Sequence, residues 1–262
     1  MNSSFTSFPD TARSHGHVYD SVLYDAASHY SDNSVLIVVP KKWKPSKNPD
    51  LVFWFHGWRN NIDSSLSHFR LAEQFLGSNR NAILILSETA KNSPDSYGGK
   101  LEQPGMFSKL VMDIFSVLVQ KKILPSGSIP GQIILSGHSG AYRVMARIVK
   151  NGGLPVCELQ LFDALYAEEE IFEEWILSSR THRFVNLYTD HGGTAENSVA
   201  LMQKLQGDHA QFLFSEEVNM NEERLAGYQV FFIHSAHEHN DIIMQPDNFR
   251  FFLENSGCLR SR

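Results

Sequence analysis

The sequence predicts an α/β protein, a mostly parallel sheet with helices on both faces. Three observations carry that prediction. Apolar runs the length of one buried strand recur along the chain, among them LVFWF at 51–55, AILIL at 82–86 and VFFIH at 230–234. Segments with helical spacing alternate with them, which implies βαβ units rather than hairpins. The chemically reactive side chains fall just after the strands, where parallel sheets gather their chemistry.

The elements follow in order. SVLIVVP at 34–40 reads as an early strand, and LVFWF ends at His56-Gly57. Residues 63–76 carry helical spacing in Leu66, Phe69, Leu71, Phe75 and Leu76, followed by the strand at 82–86. A long amphipathic helix spans 104–122, with Pro104 at its start, where a missing N–H costs nothing. Next come a strand at 132–136 and a helix at 142–150. Strands at 156–162 and 184–188 flank an acidic helix at 168–178. A helix at 198–205, the strand at 230–234 and a helix at 246–254 complete the chain. Residues 1–262 thus read as one domain, with 1–20 a loosely ordered N-terminal segment. No insertion is large enough for an elaborate cap domain.

Composition excludes several classes. A formal net charge of -6, with no basic run, leaves no broad surface for nucleic acid. No apolar run approaches the ~20 residues that span a bilayer. Cys157 and Cys258 show neither metal-ligand spacing nor a disulfide framework. The first residues lack a basic n-region and an apolar h-region. The expectation is a reduced, cytoplasmic protein.

The sharpest signal is Gly137-His138-Ser139-Gly140-Ala141, between a strand and a helix. A nucleophilic serine needs a tight strand-to-helix turn that lifts its hydroxyl above the sheet, and small flanking residues let the two elements approach. Alanine stands where the usual pattern has its last glycine. A plain N-cap serine is the bland alternative. Four further strand ends carry reactive types: His56-Gly57-Trp58, Asp163, Asp190, and the segment holding His234, His237 and His239. Nucleophile, acid, histidine is the chain order of one class of serine enzymes.

On these residues the chain resembles the α/β-hydrolase superfamily over nearly its whole length. HGWRNN, EQPG, GHSGAYR and FDALY further resemble a bacterial-type subgroup, which supplies no substrate. The resemblance implies a serine hydrolase working through an acyl-enzyme, with no cofactor and a small-molecule acyl substrate. An ester is the default bond; amide or peptide cleavage, or a non-catalytic ligand-binding role on the same fold, are the alternatives. Ser139 is the expected nucleophile. The amides of Gly140 and Trp58 are expected to form the oxyanion hole. His56 is expected to prop that loop. His239 is favoured as base because it stands farthest from the strand and just ahead of the last helix, with His237 second. Asp163, on a buried strand tip, is favoured as acid over Asp190. The base should reach Ser139 with one ring nitrogen and a carboxylate with the other. A zinc reading of the alternating histidines lacks a partner cluster, so no metal is expected.

Overall fold

The apolar runs become strands because each buries both of its faces. In the computed structural model, which describes residues 1–262, every residue of β4 (Asp50–Phe55), β5 (Ala82–Ser87), β6 (Ile133–His138), β7 (Glu158–Phe162) and β8 (Arg183–Thr189) is buried. With β3 (Val35–Val38), β9 (Leu213–Glu216) and β10 (Val230–Ser235) they form one eight-stranded sheet, in the order β3-β5-β4-β6-β7-β8-β10-β9. Only β3 runs antiparallel, against β5. The class read from the sequence is the one observed.

Alternate side chains feed two cores. Leu51, Phe53 and Phe55 point to one face, where α4 (Met106–Gln120), α5 (Tyr142–Asn151), α6 (Glu169–Ser178) and α7 (Ala195–Gly207) pack. Val52 and Trp54 point to the other, against α2 (Ile62–His68), α3 (Leu71–Gly77) and α9 (Asn248–Glu254). Each large side chain so enclosed contributes roughly 1.5–3 kcal/mol.

Several expectations need correction. The helix expected over 63–76 is two helices, α2 and α3. Arg70 breaks it with φ +50°, and Phe69 turns inward onto Trp54 (ring centroids 6.1 Å). The edge strand β9 and the four-residue helices α1 (Ala26–His29) and α8 (Glu222–Leu225) escaped the sequence reading because all three are short and largely exposed. Within residues 1–20, expected to be loose, the first eight are packed: Ser3, Thr6, Ser7 and Phe8 are buried. Ser3 Oγ donates to Asp113 Oδ2 (2.5 Å), and the Lys100 N–H donates to Ser7 O (2.9 Å). Polar side chains here cap backbone rather than face water, so a polar composition misled. Beyond them stands a hairpin, β1 (His17–Tyr19) with β2 (Val22–Tyr24). Its two-residue turn has positive φ at both Asp20 (+54°) and Ser21 (+64°), the geometry that matches strand twist. Tyr19 packs edge-on against Trp58 (5.3 Å).

Candidate active site

Topology alone locates a crevice. The chain steps from β4 to β5 on one side, then crosses to β6 on the other. Connections diverge at such a reversal and open a site beyond the strand carboxyl ends. Phe55 and Gly137 are paired across β4 and β6. His56-Gly57-Trp58 and Ser139 therefore emerge side by side.

Ser139 has φ +54°, a conformation that a non-glycine residue keeps only where its surroundings impose it. A single 3-10 turn, Ser139–Ala141, leads straight into α5. Space is minimal. A Cβ on Gly57 would lie 2.6 Å from Ser139 Cβ, and one on Gly140 2.5 Å from Trp58 Cδ1. One on Gly137 would lie 2.6 Å from Ala141 Cβ, so with alanine at 141 position 137 must stay glycine. Trp58 and Gly140, expected to share the oxyanion hole, are thus in contact.

The turn bearing Trp58 is braced from two sides. The Arg59 N–H donates to Ser93 O (2.9 Å). Beneath, buried His56 is tied through Nδ1 to Gly57 O (2.8 Å) and through Nε2 to Glu88 Oε1 (2.6 Å). Glu88 Oε2 accepts from the Ile62 N–H (3.2 Å), at the start of α2. With both ring nitrogens so occupied, His56 acts as a strut.

Asp163 follows β7 with φ +45° and is fully buried. His239 Nδ1 lies 2.6 Å from its Oδ2. Thr189 donates twice, through N–H to Oδ1 (3.1 Å) and through Oγ1 to Oδ2 (2.8 Å), and Thr194 Oγ1 adds a further bond. Burial pushes this carboxyl up, but the bonds from His239, Thr194 and Thr189 outweigh it and hold Asp163 below the ordinary aspartate value. It stays ionised. The turn after β8 presses on it so closely that a Cβ on Gly192 would fall 1.7 Å from Oδ2.

Asp190 is elsewhere. Its carboxylate is 64% exposed and holds His234 Nε2 (3.0 Å), whose Nδ1 meets Glu216 Oε2 (2.7 Å). His237 Nε2 sits 3.7 Å from Glu217 Oε2. The three clustered histidines thus face three different carboxylate settings, and His239 is the one beside the buried acid.

Two neighbours had not been singled out from the sequence. His138 Nε2 donates to the His239 carbonyl oxygen (2.9 Å), and the two rings lie 4.4 Å apart. Burial drives its imidazole down to about 3, helped by the nearby His239, so His138 is neutral. Tyr166 donates its hydroxyl proton to Gly192 O, and its ring stands edge-on to His239 (6.4 Å, 81°). The expected hydrogen bond between Ser139 and His239 is not formed; the Ser139 hydroxyl neighbours that of Tyr166. His138 lay inside the elbow motif and Tyr166 inside FDALY, so both were visible as letters. Nothing in one sequence marks Thr189 or Thr194.

A cleft of about 640 Å³ lies at the opposite end of the sheet, walled by Arg180, His182, His209 and Tyr228. It touches none of the residues above. No helix is long and apolar enough to cross a membrane.

Sheet order, elbow and strand-end placement are those of the α/β-hydrolase fold. Comparison with solved structures agrees. The chain is similar to a ferulic acid esterase (12% identity, 84% of this chain and 92% of that one, TM-score 0.54). It is similar to MPT51 of Mycobacterium tuberculosis (10% identity, 94% and 100%, TM-score 0.54). It is also similar to a thermophilic esterase of Thermogutta terrifontis solved with propionate bound (13% identity, 87% and 91%, TM-score 0.53). Likeness at such identity establishes the fold. No family profile and no curated protein matches the sequence.

Proposed function

We propose that this chain is a serine hydrolase that cleaves carboxylic esters through an acyl-enzyme. One observation carries the reading: an imidazole bonded at 2.6 Å to a buried, ionised carboxylate packs at 4.4 Å on the ring of His138, the residue before a serine held at positive φ on a strand-to-helix elbow. In this reading Ser139 Oγ attacks the carbonyl carbon as His239 takes its proton. The Trp58 and Gly140 amides receive the developing oxyanion, and His239 returns the proton to the departing alcohol. Asp163 fixes the tautomer by accepting from Nδ1 and stabilises the imidazolium as it forms. Water then releases the acid. The esterases that share the fold agree with an ester substrate.

The test is covalent. A fluorophosphonate probe should label the protein stoichiometrically, with the tag on the peptide that carries Ser139. Ser139→Ala should abolish labelling and lower hydrolysis of p-nitrophenyl esters on the order of 10⁴-fold or more, with the fold intact. Undiminished labelling of the folded variant would remove Ser139 from the mechanism.

A further inference from the structure

We propose that Tyr166 positions the hydrolytic water that releases the acyl group, an inference that rests on Ser139 and His239 acting as nucleophile and base. The argument is one of donors and acceptors. A backbone carbonyl only accepts, so the bond to Gly192 O consumes the one phenolic proton of Tyr166. The hydroxyl therefore offers the reacting centre lone pairs alone. In the resting protein its neighbour there is the Ser139 hydroxyl, which has a proton to give. Acylation changes this. Once Oγ is an ester oxygen it carries no hydrogen and has nothing to donate to the Tyr166 lone pair.

A water molecule supplies the missing donor. One of its hydrogens goes to Tyr166 Oη and the other to His239, whose ring stands edge-on to the same tyrosine. Bound by both hydrogens, the water turns its own lone pair toward the acyl carbon on Ser139. Attack forms the new C–O bond as His239 takes one proton. Collapse breaks the bond from carbon to Ser139 Oγ, which receives that proton, and the carboxylic acid departs. Tyr166 keeps its own proton throughout. Burial, then the nearby Asp163 charge, push its hydroxyl up to about 12. The ring is also fixed in place, since a Cβ on Gly193 would lie 3.3 Å from Tyr166 Cε1, and Tyr142 packs at 6.0 Å.

Tyr166→Phe keeps the ring and removes the hydroxyl. Stopped-flow release of p-nitrophenol from p-nitrophenyl acetate separates the two half-reactions, because a burst reports acylation and the steady phase reports deacylation. The expected variant has a burst rate within about twofold of the parent and a steady turnover lowered about tenfold, the equivalent of one hydrogen bond. KM should fall in parallel, because kcat/KM follows acylation. Acyl-Ser139 should accumulate by intact-protein mass spectrometry. Hydroxylamine, a nucleophile that needs no such positioning, should accelerate the variant more than the parent. A burst slowed as much as turnover would overturn the proposal and give Tyr166 a general structural role. Unchanged turnover would overturn it outright. Failure of the parent protein to label at Ser139 would instead remove the reading beneath it.

Discussion

Two aspartates at successive strand ends differ in what surrounds them, and in the proposed mechanism that difference divides their work. Asp163 has no exposed surface and four bonds from neighbours, whereas Asp190 stands largely in water against His234. Asp163→Asn should cost on the order of 10⁴ in kcat by presenting the wrong tautomer of His239. Asp190→Asn should cost less than about threefold, in line with the small worth of exposed ion pairs. Steady-state kinetics on one ester decide between them, and a larger loss at Asp190 reverses the assignment. The burial of Asp163 was legible because Leu161-Phe162 places it on a buried strand tip. Its second rank of partners was not. Thr189 and Thr194 acquire meaning only when the turn after β8 folds back over β7, a contact between segments that no local pattern records.

Elements, more than single side chains, set the site's precision. The turn after β8 reaches Asp163 through Thr189 and Thr194, and Tyr166 through the Gly192 carbonyl. Gly192 permits this because any side chain there would overlap the carboxylate. Gly192→Ala should lift the whole turn. The expected result is a loss of about 2–4 kcal/mol of stability from strained packing and weakened charged hydrogen bonds. Activity should fall about 10²-fold, as for small misplacements of catalytic groups. Thermal melts and kcat/KM on the purified variant measure both, and wild-type values for both would refute the clamp. Element boundaries also show where sequence reading falters. Helical spacing ran unbroken through Phe69 and Leu71, yet the chain kinks at Arg70 so that Phe69 can reach Trp54 and His138 (5.0 Å). Core packing overrode a correct local period. The hairpin at 17–24 was missed for the opposite reason, since Asp20-Ser21 lacks the glycine that usually announces such a turn.

The molecule as a whole carries an acid sensitivity that traces to its interior. His138 sits against the base loop with its imidazole held down to about 3, against an ordinary value near 6.5. The unfolded chain takes up that proton as pH falls below about 6.5, and the folded chain refuses it until near pH 3. Its contribution is therefore complete above that window and drains away on acidification, by up to on the order of 4 kcal/mol. Urea unfolding at about pH 7 and about pH 4.5 should show His138→Gln losing some 2–3 kcal/mol less between the two than the parent, a contrast set by the same linkage. Equal losses would show that His138 does not govern the effect. The fold at this scale was the most legible feature, because buried parallel strands advertise themselves as apolar runs. What stayed hidden was their order in space. The last strand, β10, is not an edge: it lies between β8 and β9, with His239 on the loop behind it. β9 reaches the sheet only through β10, so without β10 the sheet ends at β8. The elbow at Ser139 is built between β6 and α5, whereas the loop that carries His239 needs β10 docked on β8, so in the proposed mechanism a reactive serine reports the arrival of the last strand pair.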